Sequence, residues 1–135
     1  MTTMIKSSSQ ELLTEQDIVR TRQTVRKITQ ELGFSLVDQT KMVTAASELA
    51  RNTVVYGGGG EVLVDVLSEG VKTGLRLHFV DHGPGIPDIG LAMTDGWTSG
   101  QGLGLGLTGA KRLCNEFHIE SQPGHGTHVT ITRWK

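Results

Sequence analysis

The sequence predicts an α+β fold in which helices pack on one face of a mixed, mostly antiparallel sheet. Residues 14–56 carry apolar side chains at helical spacing, in two runs. Residues 61–69 and 73–81 then alternate apolar and polar side chains around a Gly-containing turn, as two neighbouring antiparallel strands do. Three shorter runs of strand character are residues 4–9, 117–121 and 127–135.

Two amphipathic helices are predicted before the central strands. Thr14 and Asp17 stand three residues apart, as in a capping box, and Gly33 follows the first apolar run. The second helix is predicted to begin near Asp38 as its N-cap and to end at the four glycines of residues 57–60. Its predicted inward-facing residues are Met42, Ala45, Ala46, Leu49 and Tyr56.

A long loop is predicted between the central strands and the last helix. Residues 81–106 are dominated by Gly, Pro, Asp and Thr, apart from a helical turn predicted at 88–94. A helix is then predicted over Leu107–Phe117. Loops of this length are usually functional, which directs attention to this part of the chain.

The composition predicts one globular domain over residues 1–135. Hydrophobic residues (36%) and 18 Gly together come near the globular average, so a core can form. The net charge of −1, with no stripe of aromatic residues among Lys and Arg, argues against a nucleic-acid partner. Cys114 is the single cysteine, which excludes a disulfide within the chain. The absence of a secretion signal and of a long apolar segment predicts a cytoplasmic protein.

Four alternating glycines precede the last predicted helix, which begins with a basic segment. A strand is a poor interpretation, because Gly weakens strand interiors. A glycine-rich loop that leads into a helix instead exposes backbone N–H groups at the positive helix end, which is a common way to bind phosphate. These glycines are Gly100, Gly102, Gly104 and Gly106.

Other nucleotide and metal motifs fit the sequence less well. Residues 104–109, GLGLTG, match G-x-G-x-x-G, but the preceding TDGWTSGQ is no strand and no βαβ unit fits before the end of the chain. The sequence lacks a P-loop, an H-R-D catalytic loop and a V-A-I-K strand. Its five histidines and one cysteine show no zinc-ligand spacing.

A carboxylate and an amide stand one turn apart on the second helix. Glu48 and Asn52 are four residues apart and share a face, while Leu49 points away into the core. A carboxylate that accepts a proton beside an amide oxygen that binds Mg²⁺ would suit phosphate chemistry. Taken alone, a solvent-exposed helix face is the more frequent explanation of such a pair.

Two further motifs lie at strand ends. Asp81 ends an apolar strand and is followed by Gly83 and Gly85, where a carboxylate can accept an amino proton and bare backbone lets a flat ring approach. An ordinary Asp-Gly turn is equally frequent. Gly126 and Thr127 open the last strand, where a hydroxyl could assist the site, although a β-favouring Thr is common there.

The order of these motifs resembles the GHKL ATP-binding superfamily of gyrases, heat-shock chaperones, histidine kinases and mismatch-repair proteins. Within it, ELARN, GPGIPDI and GLGLGLTGAKRL are similar to the small bacterial serine/threonine switch kinases of the RsbT type, relatives of the anti-sigma-factor kinases. The likeness extends from TEQDIVR to the end of the chain. It implies a two-layer α/β sandwich of the GHKL ATP-binding type.

The resemblance implies ATP and Mg²⁺ as cofactors. Asn52 would coordinate Mg²⁺ on the phosphates, and Glu48 would act as the catalytic base or orient the acceptor hydroxyl. Asp81 would bind the adenine amino group with support from Thr127. Gly83 and Gly85 would line the base. The glycines Gly100, Gly102, Gly104 and Gly106 would form the hinge of a lid and a phosphate cradle that leads into a helix over Ala110–Glu116.

The resemblance also implies a protein serine/threonine kinase of a bacterial partner-switching pathway. Its substrate would be a STAS-domain protein, and it would bind and activate a regulatory metal-dependent phosphatase. Because a single domain is expected over residues 1–135, we expect an external protein acceptor rather than the second domain that carries the acceptor histidine of histidine kinases. The alternative is a nucleotide-dependent binding module that sequesters a sigma factor or a phosphatase without transferring phosphate.

Overall fold

The computed structural model describes residues 1–86, 88–93 and 103–135, with side chains in the last range described from residue 106 onward. The strands in these ranges are β1 Thr3–Leu12, β2 Gly60–Glu69, β3 Lys72–Asp81, β4 Glu116–Ser121 and β5 Thr127–Trp134. The helices in the same ranges are α1 Glu15–Glu31, α2 Leu36–Arg51, α3 Ile89–Ala92 and α4 Leu103–Arg112. A π-helical turn, Asn52–Tyr56, continues α2.

The strands form one five-stranded sheet in the order β1-β2-β3-β5-β4. Every pairing among the described strands is antiparallel, which confirms the predicted antiparallel character of the sheet. The predicted hairpin is confirmed as β2 and β3, and Gly70 adopts a left-handed φ of 62° in its turn. The first strand is longer than predicted, because it pairs with β2 along most of its length.

The helices pack on one face of the sheet and bury the core between the two layers, which confirms the predicted α+β class. Fully or nearly fully buried sheet residues are Val62, Val64, Leu75, Leu77, Phe79, Val129 and Ile131. They meet helix residues that include Val25, Met42, Ala45, Ala46, Leu49, Leu107 and Ala110. None of the described helices is long and apolar enough to span a membrane.

The helix starts agree with the sequence at α1 and differ at α2. The capping box of α1 is confirmed, with the Asp17 N–H donating to the Thr14 hydroxyl at 3.2 Å and the Thr14 N–H donating to the Asp17 carboxylate at 3.1 Å. The prediction of Asp38 as N-cap of α2 is wrong. Ser35 holds that position and accepts the Asp38 N–H at 3.1 Å, while the Asp38 side chain pairs with Arg133 at 2.7 Å. The Ser35 hydroxyl accepts a backbone N–H that has no partner within the helix, as an N-cap side chain does. Asp38 therefore lies in the first turn of α2.

The last helix was predicted with both ends misplaced. It covers Leu103–Arg112 rather than Leu107–Phe117, and the long loop is correspondingly shorter. Glu116 and Phe117 instead belong to β4, where they pair with β5. Strand pairing in the sheet outweighs the local helical spacing at this end. The predicted helical turn at 88–94 is confirmed as α3.

A polar network lies on the sheet face opposite the helices. The buried Asp65 carboxylate accepts hydrogen bonds from Ser7 at 2.8 Å and from both Nε and Nη2 of Arg76 at 3.3 Å, and it contacts His78 Nε2 at 3.0 Å. Burial alone would raise the pKa of Asp65. The hydrogen bonds from Ser7, His78 and Arg76 outweigh it and hold the pKa below its ordinary value of 3.8.

Asp65→Asn is expected to lower the free energy of unfolding by about 1–3 kcal/mol, because the amide turns a donor towards Arg76 and His78 in a buried place. The lowered pKa means that the carboxylate stabilises the wild type above pH 3.8 and that this contribution is lost as the pH falls below that value. Urea unfolding at several pH values measures both effects. Glu11→Gln on the exposed part of β1 is the control and should stay within about 0.5 kcal/mol of the wild type. An unchanged stability of Asp65→Asn would contradict this role of the network.

Candidate functional site

Glu48 and Asn52 lie one helical turn apart, where α2 passes into the π-helical turn. The Asn52 N–H donates to the Glu48 carbonyl, so both side chains share a face, and Leu49 is buried in the core as predicted. The Gly57 N–H donates to the Asn52 carbonyl at 2.9 Å. This hydrogen bond spans five residues, as in a π-helix, instead of the four of an α-helix. Single π-helical turns inside helices are frequent at functional sites.

Gly106 of α4 faces both side chains. A Cβ placed on Gly106 would lie 3.2 Å from Asn52 Nδ2 and 3.3 Å from Glu48 Oε2. A side chain at position 106 would therefore crowd both groups unless they shift by a few tenths of an ångström. The structure brings together Glu48, Asn52 and Gly106, three of the residues that the sequence singled out.

The Asn52 side chain carries an unused hydrogen-bonding group. Its Nδ2 atom is buried and has no hydrogen-bond partner among the described residues. Buried polar groups without partners are rare and call for an explanation such as a ligand. The nearby Glu48 side chain is exposed to solvent, so a second molecule can reach it.

Asp81 ends β3 and has one side-chain oxygen committed to the protein. Its Oδ1 accepts the Gly83 N–H at 3.0 Å and the Thr127 N–H at 3.2 Å. No hydrogen bond from the described part of the chain reaches Oδ2. Burial raises the pKa of Asp81, and the two backbone N–H groups offset only part of this effect. Asp81 thus presents a free acceptor oxygen in a largely buried place.

Gly57 is a part of this site that the sequence analysis missed. A Cβ on Gly57 would overlap the Asp81 carboxyl group, with Oδ2 only 2.5 Å away. Because Gly57 has no side chain, the backbone that follows the π-helical turn can pass directly over Asp81. The run of four glycines was the available signal, but it was interpreted only as the end of a helix.

Gly83, Gly126 and Thr127 lie against Asp81, whereas Gly85 packs on the turn between β4 and β5. Gly85 and Gly126 adopt left-handed φ values of 77° and 80°, which other residues rarely adopt. A Cβ on Gly83 would overlap the Gly57 carbonyl, and one on Gly126 would overlap the Asp81 carbonyl. These close approaches make the backbone wall around Asp81.

A cleft joins the two halves of the site. Asn52 and Asp81 both line it, between the helix layer and the ends of β3 and β5. The other lining residues are Leu49, Thr53, Tyr56, Phe79, Ile86, Leu107, Thr127 and Val129. The walls are mostly apolar with a few polar groups. The enclosed volume is about 20 Å³, room for about one water molecule, so the cleft marks where the two halves of the site meet and does not have the size of a nucleotide pocket.

The glycine run is only partly described. Gly100 and Gly102 lie outside the described residues. Gly104 and Gly106 belong to α4, so the prediction of a loop through Gly106 followed by a helix over Ala110–Glu116 is wrong for these two positions. The helix tolerates Gly106 because α4 passes close to the side chains of α2 there.

A sequence comparison identifies the family. The family described as histidine kinase-, DNA gyrase B-, and HSP90-like ATPase matches residues 37–135, which contain the whole cleft. The chain belongs to this family. The membership confirms the resemblance to the GHKL superfamily and shows that the chain carries an ATP-binding domain.

The relatives of this chain include a serine/threonine-protein kinase and two anti-sigma F factors of bacteria. Serine/threonine-protein kinase RsbT of Bacillus subtilis (strain 168) is 46% identical over 123 residues, which are 91% of this chain and 92% of that protein. Anti-sigma F factor of Thermoanaerobacter sp. (strain X514) is 28% identical over 119 residues, or 84% and 82% of the two chains. Anti-sigma F factor of Bacillus licheniformis is 29% identical over 119 residues, or 83% and 80%. The similarity thus extends over nearly the whole length of each chain.

Proposed function

We propose that the chain is an ATP-dependent protein serine/threonine kinase of a bacterial partner-switching pathway, acting as one domain over residues 1–135. The observation that carries the proposal is that Asn52, which meets Glu48 and Gly106, lines the same cleft as Asp81. The similarity to a serine/threonine-protein kinase over 91% of the chain supports the same activity.

The adenine end of ATP is proposed to bind at Asp81. The free Oδ2 would accept a hydrogen bond from the exocyclic amino group, while Oδ1 stays held by Gly83 and Thr127. The backbone of Gly83 and Gly85 would line the base. Because the carboxylate is largely buried, its hydrogen bond to the ligand is little weakened by water.

The phosphates are proposed to lie towards α4 and Asn52. The backbone N–H groups at the start of α4, together with those of the preceding Gly100 and Gly102, would face the phosphate oxygens. The Asn52 Oδ1 would be a magnesium ligand, since Mg²⁺ takes one or two protein oxygens and completes its shell with phosphate and water. The unpartnered Asn52 Nδ2 would instead donate a hydrogen bond to a phosphate oxygen. Bound Mg²⁺ would neutralise charge on the phosphate oxygens during transfer.

Glu48 is proposed to act on the acceptor hydroxyl. Its exposed carboxylate would accept the hydroxyl proton as the serine or threonine oxygen bonds to the γ-phosphorus. The bond from that phosphorus to the bridging oxygen then breaks, and ADP leaves. Phosphoryl transfer depends mainly on positioning and charge neutralisation, so this small set of residues suffices.

The acceptor is proposed to be a STAS-domain protein. When that partner releases the kinase, the free kinase would bind and activate a metal-dependent phosphatase. A transfer assay tests this: the purified chain is mixed with candidate STAS proteins, Mg²⁺ and labelled ATP. Label on a partner serine or threonine is expected. A tight complex with a STAS protein that carries no label would contradict the proposed kinase activity. It would favour the alternative, a nucleotide-dependent binding module related in function to the anti-sigma F factors.

Gly106→Ala is expected to impair transfer while stabilising the protein. Replacing a helical Gly by Ala should raise the free energy of unfolding by up to about 1 kcal/mol, but the new methyl group would crowd Asn52 and Glu48. Gly109→Ala is the matched control, because a Cβ there has nothing within 4 Å. Thermal unfolding and the transfer rate measure the two effects. Equal transfer by the two variants would contradict the placement of Gly106 at the reacting groups.

A further inference from the structure

Ser121 stands where β4, β5 and the loop after Asp81 meet. It is the last residue of β4 and pairs with Thr127, the first residue of β5. Its hydroxyl oxygen lies 2.8 Å from the Ile86 nitrogen, 2.9 Å from the Gly126 carbonyl and 2.8 Å from the Thr127 hydroxyl. One side chain thus connects three segments around the proposed adenine site.

The hydrogen-bond directions follow from the single proton of a hydroxyl group. The Gly126 carbonyl can only accept, so the Ser121 hydroxyl donates its proton there. The Ile86 N–H can only donate, so Ser121 accepts from it. The remaining contact requires Thr127 to donate its hydroxyl proton to Ser121. Every hydrogen-bonding position of Ser121 is then used.

This arrangement fixes what Thr127 offers to the cleft. With its proton turned towards Ser121, the Thr127 oxygen keeps only lone pairs for a ligand or a water molecule. The neighbouring Asp81 Oδ2 is also an acceptor. Asp81 and Thr127 both line the cleft, so its adenine end offers two acceptors, which suits an amino group or a water that donates to it.

The same hydroxyl holds the loop wall in place. Ile86 is buried, and its N–H has Ser121 as its acceptor. The Gly124 N–H also donates to the Pro84 carbonyl at 2.8 Å, so the turn between β4 and β5 packs along this loop. Removing the Ser121 hydroxyl would leave a poorly solvated N–H and a freely rotating Thr127 hydroxyl.

We infer that Ser121 is a positioning residue for the adenine end of the cleft, acting through Thr127 and Ile86 without contacting the nucleotide. This inference rests on the proposed ATP site at Asp81. Ser121 lies far along the chain from Glu48 and Asn52, and among the described residues its side-chain hydrogen bonds reach only the adenine end. Its loss should therefore change ATP affinity and leave the transfer step intact.

Two replacements of equal shape test the inference. Ser121→Thr keeps the hydroxyl and Ser121→Val replaces it by a methyl group, while both are β-branched and suit a strand. Ser121→Val is expected to raise the Kd and KM for ATP about tenfold over Ser121→Thr, equivalent to about 1.4 kcal/mol, with kcat within about twofold. A merely structural loss would lower the melting temperature without this split between KM and kcat.

Ser121→Ala and a double-mutant cycle give independent readouts. Ser121→Ala should also bind ATP about tenfold more weakly, and its effect should be less than additive with that of Thr127→Val, because both remove the contact between the two hydroxyls. Ser7→Ala, a matched replacement on the other side of the sheet, should leave ATP affinity unchanged. No ATP binding by the unmodified chain would overturn the proposed function and this inference together. Equal ATP affinity of Ser121→Val and Ser121→Thr, in a protein whose unmodified form binds ATP, would overturn the inference alone.

Discussion

Asp81→Asn is expected to weaken ATP binding by about 100-fold or more. The asparagine oxygen can still accept the N–H groups of Gly83 and Thr127, so the new NH₂ group takes the place of the free Oδ2. A donor would then face the amino group of adenine, and two buried donors would be left without acceptors. Isothermal titration calorimetry with ATP and Mg²⁺ measures the loss.

The same substitution should leave stability at neutral pH intact. Because burial raises the pKa of Asp81 above its ordinary value of 3.8, the folded state binds this proton more tightly than the unfolded state. The free energy of unfolding therefore falls as the pH rises from 3.8 through the raised pKa, and the asparagine variant lacks this fall. Asp38→Asn is the contrasting control: it breaks the ion pair with Arg133, so it should lower the melting temperature and leave ATP affinity unchanged. Retained ATP affinity in Asp81→Asn would contradict the adenine site.

Glu48→Gln is expected to lower kcat for transfer by about 100-fold or more while ATP binds as before. The amide keeps the size of the side chain but cannot accept the hydroxyl proton, and general bases contribute about 10²–10⁴-fold to catalysis. ATP affinity should persist, because the adenine contacts at Asp81 are untouched. Single-turnover transfer from ATP to the partner protein, measured beside ATP calorimetry, separates the two steps.

A second glutamate serves as the control for Glu48. Glu31 ends α1, and the short connection to α2 places it at the opposite end of this helix pair from Glu48. Glu31→Gln makes the same chemical change in an exposed residue and should transfer phosphate at the wild-type rate. Equal rates for Glu48→Gln and the wild type would remove Glu48 from the mechanism.

The fold was largely predictable because its strongest signals are local and periodic. The alternation of residues 61–69 and 73–81 predicted the central hairpin, and Thr14 with Asp17 predicted the start of α1; both are confirmed. The spacing of Glu48 and Asn52 placed their side chains on one face of α2 without knowledge of the tertiary structure. The order of the motifs along the chain, which resembles that of the GHKL superfamily, then assigned Glu48 and Asn52 to the same predicted site as Asp81 and Thr127.

The parts that the sequence analysis missed depend on tertiary contacts. Gly57 matters because its backbone passes over Asp81, which no local pattern reveals. Ser121 is an ordinary strand residue until the fold brings Ile86 and Thr127 to it. The end of α4 was misplaced because the pairing of Phe117 with Ile131 draws that residue into the sheet.

Calorimetry of the unmodified chain with ATP tests the central claim most directly, namely that Asp81 and Asn52 bind the two ends of a magnesium-bound nucleotide. The account predicts saturable heat of binding with ATP and Mg²⁺, with weaker binding when EDTA removes the metal and none for the Asp81→Asn variant at the same concentrations. An absence of binding heat with ATP and Mg²⁺ at several temperatures would contradict it.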